Sequence, residues 1–242
     1  MKWSWPFVRP VRMSARKGSN GGRAVVYRRV EEVRSDWRKR RVEIERRLAD
    51  FCAARESTEE SLLSELAFCL LAIQTSARRS DHAVQGLVAN GLLWRGSATA
   101  IARFLRTRVR FHNHKAAYLV AARDHFFAAN PTLRAWLDST SPTAAREYLV
   151  RELDGLGYKE ASHFLRNVGR GEGRGEGFAI LDRHVLKNLR YHGVIRTIPD
   201  SLTARRYLMI EDRVRNFSRD VRIPMAALDL VFWSRETGEV FK

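Results

Sequence analysis

From residue 25 onward, apolar residues recur at three- and four-residue spacing, and no segment alternates apolar with polar residues long enough to make a strand. That periodicity constrains the fold most, because a helix with one apolar stripe must bury it against another element. Helices are expected over 28–55 and near 81–89, 97–107, 114–128, 143–152, 158–168, 182–191, 201–215 and 224–234. Another is opened by Ser57-Thr58-Glu59-Glu60, read as a capping box, and carries a core face of Leu62, Leu63, Leu66, Ala67, Leu70 and Leu71. Asn130-Pro131 and Ser141-Pro142 each read as an N-cap followed by proline at the first helical position. The fold class is all-α, compact, with many short helices and no internal repeat.

Charge narrows the partner. Lys and Arg number 44 against 27 Asp and Glu, a formal net charge of +17. An excess of this size calls for a polyanion, with nucleic acid ahead of a ribosomal or anionic-membrane surface. No apolar run approaches the roughly 20 residues that span a bilayer, and the first residues lack the continuous apolar segment of a signal peptide. Residues 1–29 hold eight Lys or Arg and no Asp or Glu, with glycine and serine clustered at 18–22. Residues 1–24 therefore read as a flexible basic arm adding phosphate attraction, or as an extension without function, since Met13 offers a later start. Residues 25–242 form the folded domain. The two cysteines, Cys52 and Cys69, are too few for a four-cysteine zinc or iron–sulfur site and read as buried thiols of a cytoplasmic protein.

The stretch LDGLGYKEASHFLRNVG, residues 153–169, concentrates the chemistry. Gly155 and Gly157 permit a tight hairpin whose backbone amides, beside the next helix's N-terminus, suit an anion such as a DNA phosphate. An ordinary glycine-capped corner explains them equally well. Ala161, Phe164, Leu165 and Val168 make the apolar stripe of the helix that follows, so Lys159, His163 and Arg166 fall on the opposite side. The helix dipole disfavours a cation at Lys159, which favours the neutral amine, a nucleophile able to form a Schiff base. A solvated surface lysine is the plainer alternative. In AILDRHVL, residues 179–186, Asp182 reads as an N-cap or as an electrostatic stabiliser at the mouth of a cleft. GRGEGRGEG, residues 169–177, has no following Lys-Ser/Thr and no preceding strand, so it reads as a flexible connector rather than a phosphate loop. His112 and His114 lack acidic or cysteine companions and read as surface histidines rather than metal ligands.

GLGYKEASHFLRN with LDRH resembles the helix–hairpin–helix and Gly/Pro-Asp signature of the base-excision DNA glycosylases. The wording is similar to that of the archaeal-type 8-oxoguanine DNA glycosylase/AP lyases. ELAFCLLAIQTSA (65–77), RVRFHNHKAAYLVAAR (108–123) and LDLVFWSRETGEVFK (228–242) extend the likeness. The resemblance implies two helical subdomains flanking a cleft. It implies Lys159 as the Schiff-base lysine, Asp182 as the catalytic aspartate, and Gly155 and Gly157 as the hairpin gripping the DNA backbone; Arg166, opposite the apolar stripe of its helix, is expected on the DNA side. It also implies Gln74 as the residue filling the gap left by a flipped nucleotide, and Trp233 and Lys242 as the border of the base pocket. The partner it implies is double-stranded DNA containing oxidised guanine, met by a monomer, with no membrane and no organic cofactor or catalytic metal. A lyase for another oxidised base and a non-catalytic DNA-holding module remain the alternatives.

Overall fold

The computed structural model describes residues 27–127, 132–173 and 176–242. The basic arm over 1–24 and the Asn130-Pro131 cap lie outside the described residues.

The helices run α1 Val30–Ala53, α2 Glu59–Leu71, α3 Ala77–Ala89, α4 Leu92–Arg95, α5 Ala98–Leu105 and α6 His112–Phe127. They continue as α7 Leu133–Ser139, α8 Pro142–Glu152, α9 Tyr158–Asn167, α10 Arg183–Tyr191, α11 Ala204–Val221 and α12 Met225–Thr237. Ser141 caps α8 with Pro142 at its start, as expected. The cap of α2 is one residue later than expected: Thr58, not Ser57, accepts from the Ser61 amide. Glu60 does not complete a capping box with Ser57, because its carboxylate accepts the Trp94 indole N–H at 2.8 Å.

Two apolar cores organise these helices. One gathers the buried faces of α2 through α9, with Phe68, Leu71, Leu87, Leu119 and Phe164 among its members. The other joins α1 to α10, α11 and α12, through Ile44, Leu189, Phe217 and Phe232. The middle of the chain thus forms one lobe, while the first long helix returns to the C-terminal helices to form the second. Among the described residues no helix is long and apolar enough to cross a membrane.

The seam corrects three expectations. Arg166, expected on the DNA side, is 5% exposed. Its guanidinium lies over the Phe51 ring at 4.5 Å and pairs with Asp229 at 3.2 Å, tying α9 to α1 and α12. His163 is buried as well, because α9 runs between the lobes and its polar side meets protein, not solvent. Cys69 is buried as expected, but Cys52 is exposed near the end of α1.

The glycine-rich stretch is packed where it is described. A Cβ on Gly171 would lie 2.7 Å from the Arg166 Cα, so only glycine lets the chain pass that closely. Arg170 is buried and pairs with Asp138, and Glu172–Gly173 pairs antiparallel with Glu176–Gly177. The described residues of this stretch are held by these contacts, not free as their composition suggested.

Candidate active site

A cleft of about 790 Å³ opens between the lobes, and residues from both line it. Lys159, in the first turn of α9, and Asp182, at the start of α10, both face this cleft.

Lys159 is placed by the hairpin before it. Gly155 has φ 83, and a Cβ there would sit 2.6 Å from the Tyr118 ring, so both conformation and space demand glycine. Leu156 is buried and holds α8 to α9, while Gly157 is the extended N-cap of α9. The next residue but one is therefore delivered to the cleft, where Lys159 is 23% exposed. Its Nζ lies 3.4 Å from Glu160 Oε1, a neighbour the sequence reading had not assigned. The ion partner is on the cleft side, along with Asp182, so the pairing keeps Lys159 in place rather than diverting it.

Asp182 is placed by a strap, residues 178–181, buried along its length. The Ala179 amide donates to Glu211 Oε1 at 2.9 Å, and the Tyr207 hydroxyl donates to the Ala179 carbonyl at 2.5 Å. Glu211 is itself held by Arg146 of α8. The strap ends at Asp182, whose Oδ1 accepts the Val185 amide at 2.7 Å. One oxygen of Asp182 thus caps α10, and the residue also lines the cleft.

A second lysine, Lys242, shares the cleft. Its Nζ sits 3.1 Å from Glu65, 3.0 Å from Asp81 and 4.5 Å from the Phe68 ring centre. Burial alone would lower its proton affinity, but the Glu65 and Asp81 carboxylates outweigh burial and raise it. Lys242 is therefore held as an ammonium. Trp233 lies stacked on Phe241, with ring centres 6.3 Å apart, and lines the same space. His163 makes an edge contact to Phe68 at 5.6 Å. Burial, and then the nearby Arg166, Lys159 and Lys242 charges, push its pKa well down, so its ring is neutral.

Two functional candidates escaped the sequence reading. Asp229 sits in the apolar run LDLVFW, which reads as core; a lone acid inside such a run was the available signal. It lines the cleft, and burial pushes its carboxyl up to about 6, with Asp182 adding to the rise and Arg166 opposing it. Lys115 sits on the buried side of α6, beneath the turn that carries Gln74. Gln74 itself lines the cleft from the turn after α2. Among the described residues no group of three or more His, Cys, Asp or Glu is placed to hold a metal ion.

A hairpin before one helix and a capping aspartate before another, facing across an interlobe cleft, define a helix–hairpin–helix protein. The family model for 8-oxoguanine DNA glycosylase, of the helix–hairpin–helix type, matches residues 44–223. An 8-oxoguanine DNA glycosylase/AP lyase of Fusobacterium nucleatum is 41% identical over 187 residues, spanning 76% of this chain and 84% of that protein. The crystal structure of the 8-oxoguanine DNA glycosylase of Thermotoga maritima superposes with a TM-score of 0.77 at 30% identity, covering 88% of this chain and 98% of that one. The Methanocaldococcus jannaschii 8-oxoguanine glycosylase/lyase, crystallised with a 15mer DNA containing 8-oxoguanine, also gives 0.77, at 29% identity, over 88% of this chain and 99% of its own. This chain belongs to the 8-oxoguanine DNA glycosylase family.

Proposed function

We propose that this protein excises 8-oxoguanine from double-stranded DNA in the cytoplasm and then cleaves the strand at the abasic site it has made. The observation that carries this reading is the meeting of Lys159 and Asp182 in one cleft, each delivered by the start of a different helix.

A base inside the duplex hides its sugar C1′, so the nucleotide must first swing out, at a cost of a few kcal/mol. The Gly155–Gly157 hairpin and the open N-terminus of α9 suit a backbone phosphate, which offsets part of that cost. Gln74 fills the vacated place in the stack. Trp233 offers an aromatic face to the extruded base, and Lys242 borders the same pocket.

Lys159 then gives up a proton, with the Glu160 carboxylate 3.4 Å away as its acceptor. The amine attacks C1′, the glycosidic bond breaks, and the base leaves with the bonding pair. Asp182 stabilises the positive character that develops on the sugar. Opening of the sugar ring gives an imine between Nζ and C1′, which acidifies the C2′ proton. Loss of that proton expels the 3′ phosphate, cutting the strand, and water releases Lys159.

The test is strand cleavage on duplexes carrying 8-oxoguanine, an oxidised pyrimidine or an undamaged guanine. Preferred cutting at 8-oxoguanine is expected. Preference for the oxidised pyrimidine would reassign the substrate, and binding without cutting would leave only a DNA-holding module.

A further inference from the structure

Gln74 has φ 50, in the left-handed region that a glutamine rarely adopts. It stands in the turn after α2, between Ile73 and Thr75, and nothing in its own chemistry favours that conformation. Inside the turn the Thr75 amide donates to the Ala72 carbonyl at 3.2 Å, and one side chain fastens the turn from outside.

Lys115 reaches up from α6 with only 2% of its surface exposed. Its Nζ donates to the Leu71 carbonyl at 2.7 Å, the Ile73 carbonyl at 2.6 Å and the Thr75 hydroxyl at 2.9 Å. Those bonds use all three donors of the ammonium and bracket Gln74 on both sides. Two of the acceptors are carbonyls at the C-terminal end of α2, where the helix dipole favours a cation. Thr75 Oγ1 also accepts the Arg110 amide at 3.3 Å, so the loop before α6 is fastened at the same point. Burial, then the Arg110 and Lys159 charges, bring the Lys115 pKa down to about 8, which still leaves an ammonium at neutral pH.

We infer that Lys115 is a positioning residue for base extrusion: its buried ammonium locks the 72–76 turn so that Gln74 is already aimed into the cleft before DNA arrives. This rests on the role given to Gln74 above. A side chain pre-set in a strained turn does not have to be reordered while the nucleotide is leaving the stack. Lys115 acts through Gln74 and has no contact of its own to make with the sugar.

The experiment compares the wild-type protein with Lys115→Met, Gln74→Ala and the double variant. Lys115→Met keeps the aliphatic stem and removes the three donors. Two readouts are taken: single-turnover excision of 8-oxoguanine from duplex DNA, and borohydride trapping on a single-stranded abasic oligonucleotide, where no vacancy needs filling. Lys115→Met is expected to slow duplex excision by about ten- to a hundred-fold, and to lower single-strand trapping much less. The double variant is expected to be no slower than the slower single. A 2-aminopurine beside the lesion should show a weaker fluorescence rise in both singles. Should Lys115→Met fold poorly, Thr75→Val removes one of the three acceptors with little change of shape, and the same split is expected on a smaller scale. Equal loss in both assays, or losses that multiply in the double variant, would overturn the role of Lys115 alone. A Gln74→Ala protein with wild-type duplex excision would remove the Gln74 assignment and this inference with it.

Discussion

Arg146 and Glu211 form a two-pronged ion pair, 2.7 and 3.0 Å, with both side chains shielded from water. The same carboxylate accepts the Ala179 amide, three residues before Asp182. A buried pair in one lobe seam therefore sets the height of the strap that presents Asp182. Replacing Glu211 by Gln leaves the guanidinium of Arg146 buried without its counter-charge, which costs about 3–5 kcal/mol. Urea or thermal unfolding reads this directly. A loss below about 1 kcal/mol would mean that the strap is held by the Tyr207 contacts and not by the pair.

Asp182 does two jobs that substitution separates. Asparagine caps a helix about as well as aspartate, so Asp182→Asn should keep the Val185 amide satisfied and DNA binding nearly intact. It cannot supply negative charge, so single-turnover base release should fall by about 10²–10³-fold. Asp182→Ala should show the same rate loss and also about 1 kcal/mol lower stability. Wild-type excision by Asp182→Asn would reduce the residue to a cap.

Asp229 makes stability depend on pH in an unusual direction. Its carboxyl, ordinarily at 3.8, is raised to about 6 by burial, so between those values the folded protein keeps a proton that the unfolded chain has lost. The contribution is fully present below about pH 4 and is lost as pH rises through about 6. Unfolding free energies of the wild type and Asp229→Asn should be compared at pH 4 and pH 7. The wild type should lose about 2–3 kcal/mol relative to the variant across that interval. A constant difference would show that Asp229 titrates normally.

Trp233 lines the cleft proposed to receive the extruded base, so on that reading its removal should hurt only substrates that have one. Trp233→Ala should weaken duplex excision of 8-oxoguanine by the equivalent of about 1–3 kcal/mol of stacking. Strand cutting at a preformed abasic site should change far less. Equal effects on both would place Trp233 in the scaffold rather than the pocket.

Much of this was legible in the residues. The helical spacing and the caps at Ser141 and Asp182 appear in the structure because both depend on local backbone chemistry. Lys159, Asp182, Gln74, Trp233 and Lys242 do converge on one cleft, although they are spread over most of the chain. What the residues did not disclose was decided by long-range packing. Arg166 and His163 sit on the polar side of α9, and a helix wheel sends them to solvent; Phe51 of α1 and Asp229 of α12 enclose Arg166, while His163 packs against Phe68 of α2. Lys115 and Asp229 looked ordinary because a lysine in a helix is usually exposed and an acid in an apolar run usually lies at a surface edge. Gly171 looked like linker until Arg166 was found pressed against it.

Two amines line the cleft, Lys159 and the carboxylate-bound Lys242, and the proposed mechanism requires that Lys159 be the one that bonds to the sugar. Borohydride reduction during reaction with an 8-oxoguanine duplex, followed by peptide mapping of the adduct, distinguishes them. The adduct is expected on the peptide carrying Lys159, and none is expected from Lys159→Ala. An adduct mapped to Lys242, or one formed undiminished by Lys159→Ala, would contradict the mechanism.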